Sequence, residues 1–156
     1  MTSTEPAEGR KIVVQNRKAR HEFHILEKWE AGLVLQGTEV KSLRMGRANL
    51  QDAFAIVDRG ELWLHNLHIS PYEYGNRYNH EPLRRRKLLM SRREIRKLIG
   101  QVEQKGLTLV PLDIYFRRGI AKTTVALARG KKLHDKRDDL RRRSDERDME
   151  RALKAG

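Results

Sequence analysis

Asn16-Arg17-Lys18-Ala19-Arg20-His21 sets three cations and an imidazole within six positions. That combination suits phosphate contact, with cations to neutralise a nucleic-acid backbone and a flat ring on which a base can stack. A solvated basic segment has the same composition, so the run alone leaves both readings open. Arg84-Arg85-Arg86-Lys87 places four cations in succession, and these repel one another unless a polyanion lies near. Leu88 and Leu89 follow and are read as core, whereas an exposed leucine there would mark a binding surface. Glu30, in Trp29-Glu30-Ala31-Gly32, can accept hydrogen bonds from a guanine or cytosine edge or orient an arginine. It can equally form a plain surface ion pair.

Other chemistries are less well supplied. His21 and His24 are three apart, as are His65 and His68, a spacing that puts each pair on opposite faces of a strand. With no cysteine either, no metal site, cofactor or disulfide is expected. The acids Glu39, Asp52, Asp58 and Glu61 are scattered rather than clustered as a metal-dependent nuclease requires. Ser42 has no evident base, and Ser91 reads better as a helix cap, so no catalytic residue is assigned.

From Gly130 to Gly156 the chain holds ten Lys/Arg and seven Asp/Glu, with Leu133, Leu140, Met149 and Leu153 as its large apolar residues. Asp138 to Arg142 and Asp139 to Arg143 are acid-to-base pairs at helical spacing. Such a segment has helix-forming composition but too little apolar surface to offset the entropy of ordering it alone. It is expected to be disordered when free and to fold against a polyanion.

The whole chain of 156 residues carries a formal charge of +13, of which the tail supplies only +3, so the remaining body is basic in its own right. That balance favours nucleic acid first and anionic membranes second. No run approaches the roughly 18 apolar residues of a membrane span. The first residues lack a basic start and an apolar stretch, so they read as a polar leader and not a secretory signal. A cytoplasmic location suits these features. Three segments are expected: a disordered leader at 1–10, a body at 11–130 and a charged tail at 131–156.

The elements that must position these residues follow from periodicity. His21 to Trp29 alternates and reads as a strand, and Leu33-Val34-Leu35, between Gly32 and Gly37, reads as a second short one. Thr38 is the expected N-cap of a short helix through about Met45, with Val40 and Leu43 inward and Lys41 and Arg44 outward. Phe54–Val57 and Glu61–Ile69, joined by Asp58-Arg59-Gly60, predict a hairpin, and 71–82 reads as a long loop. Ser91-Arg92-Arg93-Glu94 has capping-box spacing ahead of Ile95, Leu98, Ile99 and Val102, with Gly106 as the stop. Leu107 to Arg117, with Val110, Leu112, Ile114 and Phe116 expected on one face, and Ile120 to Ala128 are the last strands. Pro111 implies an edge or a bulge. The sum is a mainly β, antiparallel body of about six strands with flanking α-helices, best matched by a small oligonucleotide-binding-like β-barrel.

Several of these blocks together resemble the SsrA-binding protein family. They are Asn16 to Glu22, Glu30-Ala31-Gly32, Gly37 to Arg44, His68-Ile69-Ser70-Pro71-Tyr72, Arg86-Lys87-Leu88-Leu89 and Gly130 to Arg137. The resemblance runs from about Ile12 to Arg143. It implies a non-enzymatic protein that binds transfer-messenger RNA (tmRNA) and brings it to stalled ribosomes for trans-translation, tagging the nascent chain for proteolysis. The RNA lacks an anticodon arm, and the family is thought to fill that volume, with its tail helical in the empty message channel of the small subunit. Elongation factor Tu would be an indirect partner within the tmRNA complex. Carried over by position, the implied tmRNA-binding residues are Asn16, Arg17, Lys18, Arg20, Glu30, Arg86, Lys87, Leu89 and Gly130. Those implied to engage the decoding centre and message channel are His21, Lys131, Lys132, His134, Asp135, Lys136 and Arg137. A structural ribosomal protein or general RNA chaperone is the competing reading.

Overall fold

Two tight hairpins organise the chain, and both use the same turn chemistry. Strand β4 (Phe54–Asp58) returns as β5 (Glu61–His65) through Arg59-Gly60, and β8 (Leu107–Arg117) returns as β9 (Ile120–Gly130) through Arg118-Gly119. The loop residues all hold positive φ, at 53° and 78° in the first and 51° and 78° in the second. Two consecutive positive φ angles match the right-handed twist of the strands they join, and glycine accepts this geometry without a Cβ penalty. The computed structural model describes residues 10–75, 78–103, 107–131, 141 and 147.

The other elements are β1 (Arg10–Gln15), α1 (Arg17–Glu22), β2 (Phe23–Leu33), α2 (Gly37–Arg44), β3 (Ala48–Asn49), β6 (His68–Ile69), β7 (Arg86–Leu89) and α3 (Arg92–Val102). All pairings are antiparallel. Seven strands join in the order β1-β8-β4-β5-β7-β2-β9, and β9 also pairs with β8, so six of them pair in a ring and β1 adds to β8 outside it. A separate two-stranded sheet joins β3 to β6.

Two irregularities of register decide which residues face where. Pairing of β2 with β9 shifts between Ile25 and Glu27, and pairing of β8 with β9 shifts between Pro111 and Asp113. An extra residue in a strand reverses the alternation of its side chains. Hence Leu109, Ile114 and Phe116 enter the main core with Leu62, Leu64, Leu88, Val125 and Leu127. Val110 and Leu112 point the other way, into a small second cluster with Ala19, Ala126 and Ala128. Pro111 does mark a bulge, but Val110 and Leu112 do not share a face with Ile114 and Phe116, as unbroken alternation would require.

Several local expectations are corrected. Leu33 ends the eleven-residue β2, so there is no separate strand at Leu33-Val34-Leu35. Gly32 is accommodated within β2 because its neighbour Leu89 fills the space, and a Cβ on Gly32 would lie 3.3 Å from the Leu89 Cβ. Helix α2 starts one residue before Thr38, with Gln36 as N-cap, and the Gln36 N–H donates to Glu39 Oε1 at 2.8 Å. Thr38 instead pairs its hydroxyl with His80 Nδ1 at 2.9 Å. Leu43 is fully buried and Lys41 and Arg44 are exposed, in line with the helical periodicity. Ser91 caps α3 by accepting from the Glu94 N–H at 3.2 Å, and Ile95 and Leu98 are buried beneath it. The expected stop at Gly106 lies outside the described residues, as do most of 1–10 and 131–156; within the leader range, Arg10 belongs to β1.

Helix α1 was not legible as a helix. It is six residues long and buries one side chain, Ala19, so it has too few apolar positions to show periodicity. Asn16 holds it in place. Its Oδ1 accepts from the Ala19 N–H at 3.1 Å, and its Nδ2 donates to the carbonyls of Leu50 (3.1 Å) and Pro111 (2.8 Å). Removing these three bonds from a buried site in Asn16→Ala is expected to cost about 2–3 kcal/mol, read by urea denaturation.

Candidate nucleic-acid interface

The candidate residues fall into two neighbourhoods. The first forms where α1 meets the end of β9. Gly130 pairs with Phe23, the Lys131 N–H donates to the Glu22 carbonyl at 2.8 Å, and Lys131 Nζ reaches the Arg20 carbonyl at 3.4 Å. These contacts bring Arg20, His21, Gly130 and Lys131 together. Arg17 and Arg20 are exposed, and His21 and Lys131 are half-buried. Lys18 extends the group and reaches Asp52 at 3.0 Å, a hydrogen bond that raises the lysine pKa above its ordinary value.

Gly130 has ordinary backbone φ, and nothing lies within 4 Å of where its Cβ would stand. The fold therefore does not require glycine there. Gly130→Ala is expected to leave the melting temperature unchanged, so any loss of RNA binding by this variant reports on an external contact.

The second neighbourhood lies near the far end of β2, nine residue steps from Phe23, or about 30 Å along the strand. After the bulge, Trp29, Ala31 and Leu33 turn inward, which leaves Lys28 and Glu30 exposed on the opposite face, where Gly32 is buried beneath Leu89. Gly32 pairs with Leu89, whose neighbour Leu88 is buried while Leu89 itself is 54% exposed. Lys87 pairs with Trp63, over which the Arg85 guanidinium sits at 3.9 Å. An exposed leucine, a lysine and a cation-covered indole thus stand side by side. Glu30 receives the Tyr115 hydroxyl and Arg117 Nη1, the latter at 2.9 Å. Burial and the nearby Glu30 carboxylate together raise the Tyr115 pKa, so this phenol remains a donor. Glu30 is therefore held in a fixed orientation with Arg117 beside it.

Residues 13–155 match the family described as SmpB protein.

The chain belongs to the SmpB family.

An SsrA-binding protein of Carboxydothermus hydrogenoformans is 59% identical over 145 residues, covering 93% of this chain and 97% of the relative. One from Desulforudis audaxviator is 62% identical over 147 residues, covering 94% and 96%. A solved structure described as "tmRNA-SmpB: a journey to the center of the bacterial ribosome" has a TM-score of 0.66 at 57% identity. It covers 77% of this chain and 85% of that one.

In this SmpB-family chain the four-cation run needs no external polyanion to be tolerated. Arg84 Nη2 lies 2.5 Å from Glu39 Oε1, Arg85 pairs with Asp58 at 3.1 Å, Arg86 Nε bonds Glu39 Oε2 at 2.6 Å, and Lys87 meets Glu61 at 3.3 Å. Together with Asp52, these are the same acids that the sequence left scattered, and each offsets a nearby cation. Arg86 is fully buried and also donates to the Leu67 carbonyl, so its guanidinium offers no surface to a ligand. Asn16, 3% exposed, is likewise committed internally. Both would act on a ligand by positioning neighbouring residues. Sequence reasoning missed Trp63, Tyr115 and Arg117, because only the strand pairing brings them to Lys87 and Glu30. Lys132, His134, Asp135, Lys136 and Arg137 lie outside the described residues.

Proposed function

We propose that this chain binds tmRNA and acts in trans-translation, bringing that RNA to stalled ribosomes so that the nascent peptide is tagged for proteolysis. The observation that carries the reading is the identity with SsrA-binding proteins, 59% and 62% across more than nine-tenths of both chains. The cyclic strand pairing supports an oligonucleotide-binding-like barrel as the RNA-binding body. On this reading the α1 cations and the Lys87–Leu89 surface hold the RNA, in the space that an anticodon arm would occupy. The segment beyond Lys131 enters the empty message channel and folds there, so an intact message competes it away. The protein acts without catalysing a reaction, and its site of action is the bacterial cytoplasm.

Competition binding at fixed salt between tmRNA and ordinary tRNA tests the reading. Preference for tmRNA is expected, whereas equal binding would point to a general RNA chaperone or a structural ribosomal protein. Glu30→Ala provides a second test. Nonspecific electrostatics predicts tighter RNA binding when a negative charge is removed from a basic surface. If Glu30 reads a base or orients Arg117 toward the RNA, affinity falls by about tenfold instead.

A further inference from the structure

Beside the Lys18–Asp52 pair lies a cavity of about 260 Å³, lined by Asn49, Gln51, Asp52, Asn66, His68 and Leu83. Three short segments build it. The turn after β3 is fixed by the Gln51 N–H donating to Asn49 Oδ1 at 2.7 Å. The β5–β6 connection is fixed by Asn66, which holds a positive φ of 62° and whose Nδ2 lies 3.5 Å from the Asp52 carbonyl. Pairing of Asn49 with His68 joins these two segments, and Leu83 closes the third side, 53% exposed.

Much of the hydrogen-bonding capacity of this lining is uncommitted among the described residues. Asn49 Nδ2, the Gln51 side-chain amide, the His68 ring and Asp52 Oδ2 carry no hydrogen bond, although the backbone around them is pinned. Amides, a carboxylate and an imidazole beside an exposed apolar side chain suit a flat heterocycle with donors and acceptors along its edge. The volume lies just below the roughly 300–1,000 Å³ of ordinary small-ligand clefts, which fits one ring system better than a larger ligand.

The cavity is also physically tied to α1. Lys18 reaches Asp52 in the lining, and Asn16 Nδ2 holds the Leu50 carbonyl in the middle of the same turn. A phosphate held at Lys18 would lie beside Asp52 in the lining.

We propose that this cavity receives one unpaired nucleobase of the bound RNA, with its edge read by Asn49, Gln51 and Asp52 and its face against His68 and Leu83. The proposal rests on the tmRNA-binding reading. It gives buried Asn16 a role in RNA binding without any contact, since Asn16 sets the position of the reading turn.

The test compares wild type, Gln51→Ala and the Gln51→Ala/His68→Ala double variant in tmRNA binding and in dimethyl sulfate and ribose footprints on the complex, after melting curves establish their folding. A loss of about tenfold in affinity is expected for the double variant. One base protected by wild type should become reactive while the ribose protections persist. Affinity within about twofold of wild type and an unchanged footprint for either folded variant would overturn the proposal. Absence of any tmRNA footprint with the wild-type protein would instead overturn the RNA-binding reading on which it rests.

Discussion

Ending the chain at Lys131 is expected to leave tmRNA affinity within a few-fold of the full chain and to reduce peptide tagging to background. The removed residues 132–156 hold nine Lys/Arg against seven Asp/Glu, so their net charge is small. They would release only about two counterions on a phosphate backbone. The residues that form the two described neighbourhoods all lie before the cut. Lys131 is tied to the body through the carbonyls of Glu22 and Arg20, and the cut leaves both bonds in place. Filter binding to tmRNA and tagging on ribosomes stalled without a stop codon are the two measurements. Normal tagging by the shortened chain would refute the role proposed for the tail, whereas lost binding would mean that the tail is part of the RNA-binding surface.

The largest expected effect on stability is that of Glu39→Ala. The Glu39 carboxylate is fully buried between Arg84 and Arg86 and accepts the Gln36 N–H. Its removal leaves the buried Arg86 guanidinium without a counter-charge, an arrangement that typically costs about 3–5 kcal/mol. Domains of this size have only about 5–15 kcal/mol in total, so urea denaturation should show a protein near the edge of folding. Replacing Glu39 and Arg86 together by methionine removes both charges and should be less damaging than Glu39→Ala. If the double replacement proves the worse of the two, packing rather than charge pairing dominates the site.

The same pair sets a pH dependence. Burial is the largest influence on Glu39 and pushes its pKa up, but Arg84, the Gln36 N–H and Arg86 together outweigh it and hold the carboxyl below its ordinary 4.5. A group depressed in the folded state stabilises fully above its unfolded pKa and loses that contribution as pH falls through the folded value. Stability should therefore be insensitive to Glu39 at neutral pH and decline below about pH 4.5. The slope should be shallower in Glu39→Gln, as measured by melting temperature against pH.

What could be read from the sequence was what neighbouring residues determine. Asp58-Arg59-Gly60 specifies a turn by its own backbone preferences, and Ser91 with Glu94 specifies a cap three residues long. Thr38 was misjudged because its hydroxyl is engaged by His80, 42 residues away. The repulsion expected along Arg84 to Lys87 was misjudged for the same reason: Arg84 finds Glu39 at a separation of 45 residues and Arg85 finds Asp58 at 27. Charge repulsion inferred along the chain was relieved by partners across the fold. At the site, exposure of Leu89 follows from alternation once β7 is placed, whereas the burial of Asn16 depends on the carbonyls of Leu50 and Pro111, which periodicity does not report.

Gly130 and Leu89 sit against opposite ends of one strand, Phe23 to Leu33, which carries a single bulge and is braced along most of its length by β9. On the tmRNA-binding reading proposed above, such a strand would serve as a calliper with a locked jaw opening. An RNA that engages both jaws must present two features at that gauge, and a short fragment bearing one of them can fill only half the tool. Lengthening the beam by two residues would widen the gap by about 7 Å and keep every side chain on its own face. Lengthening it by one would turn the far jaw inside out.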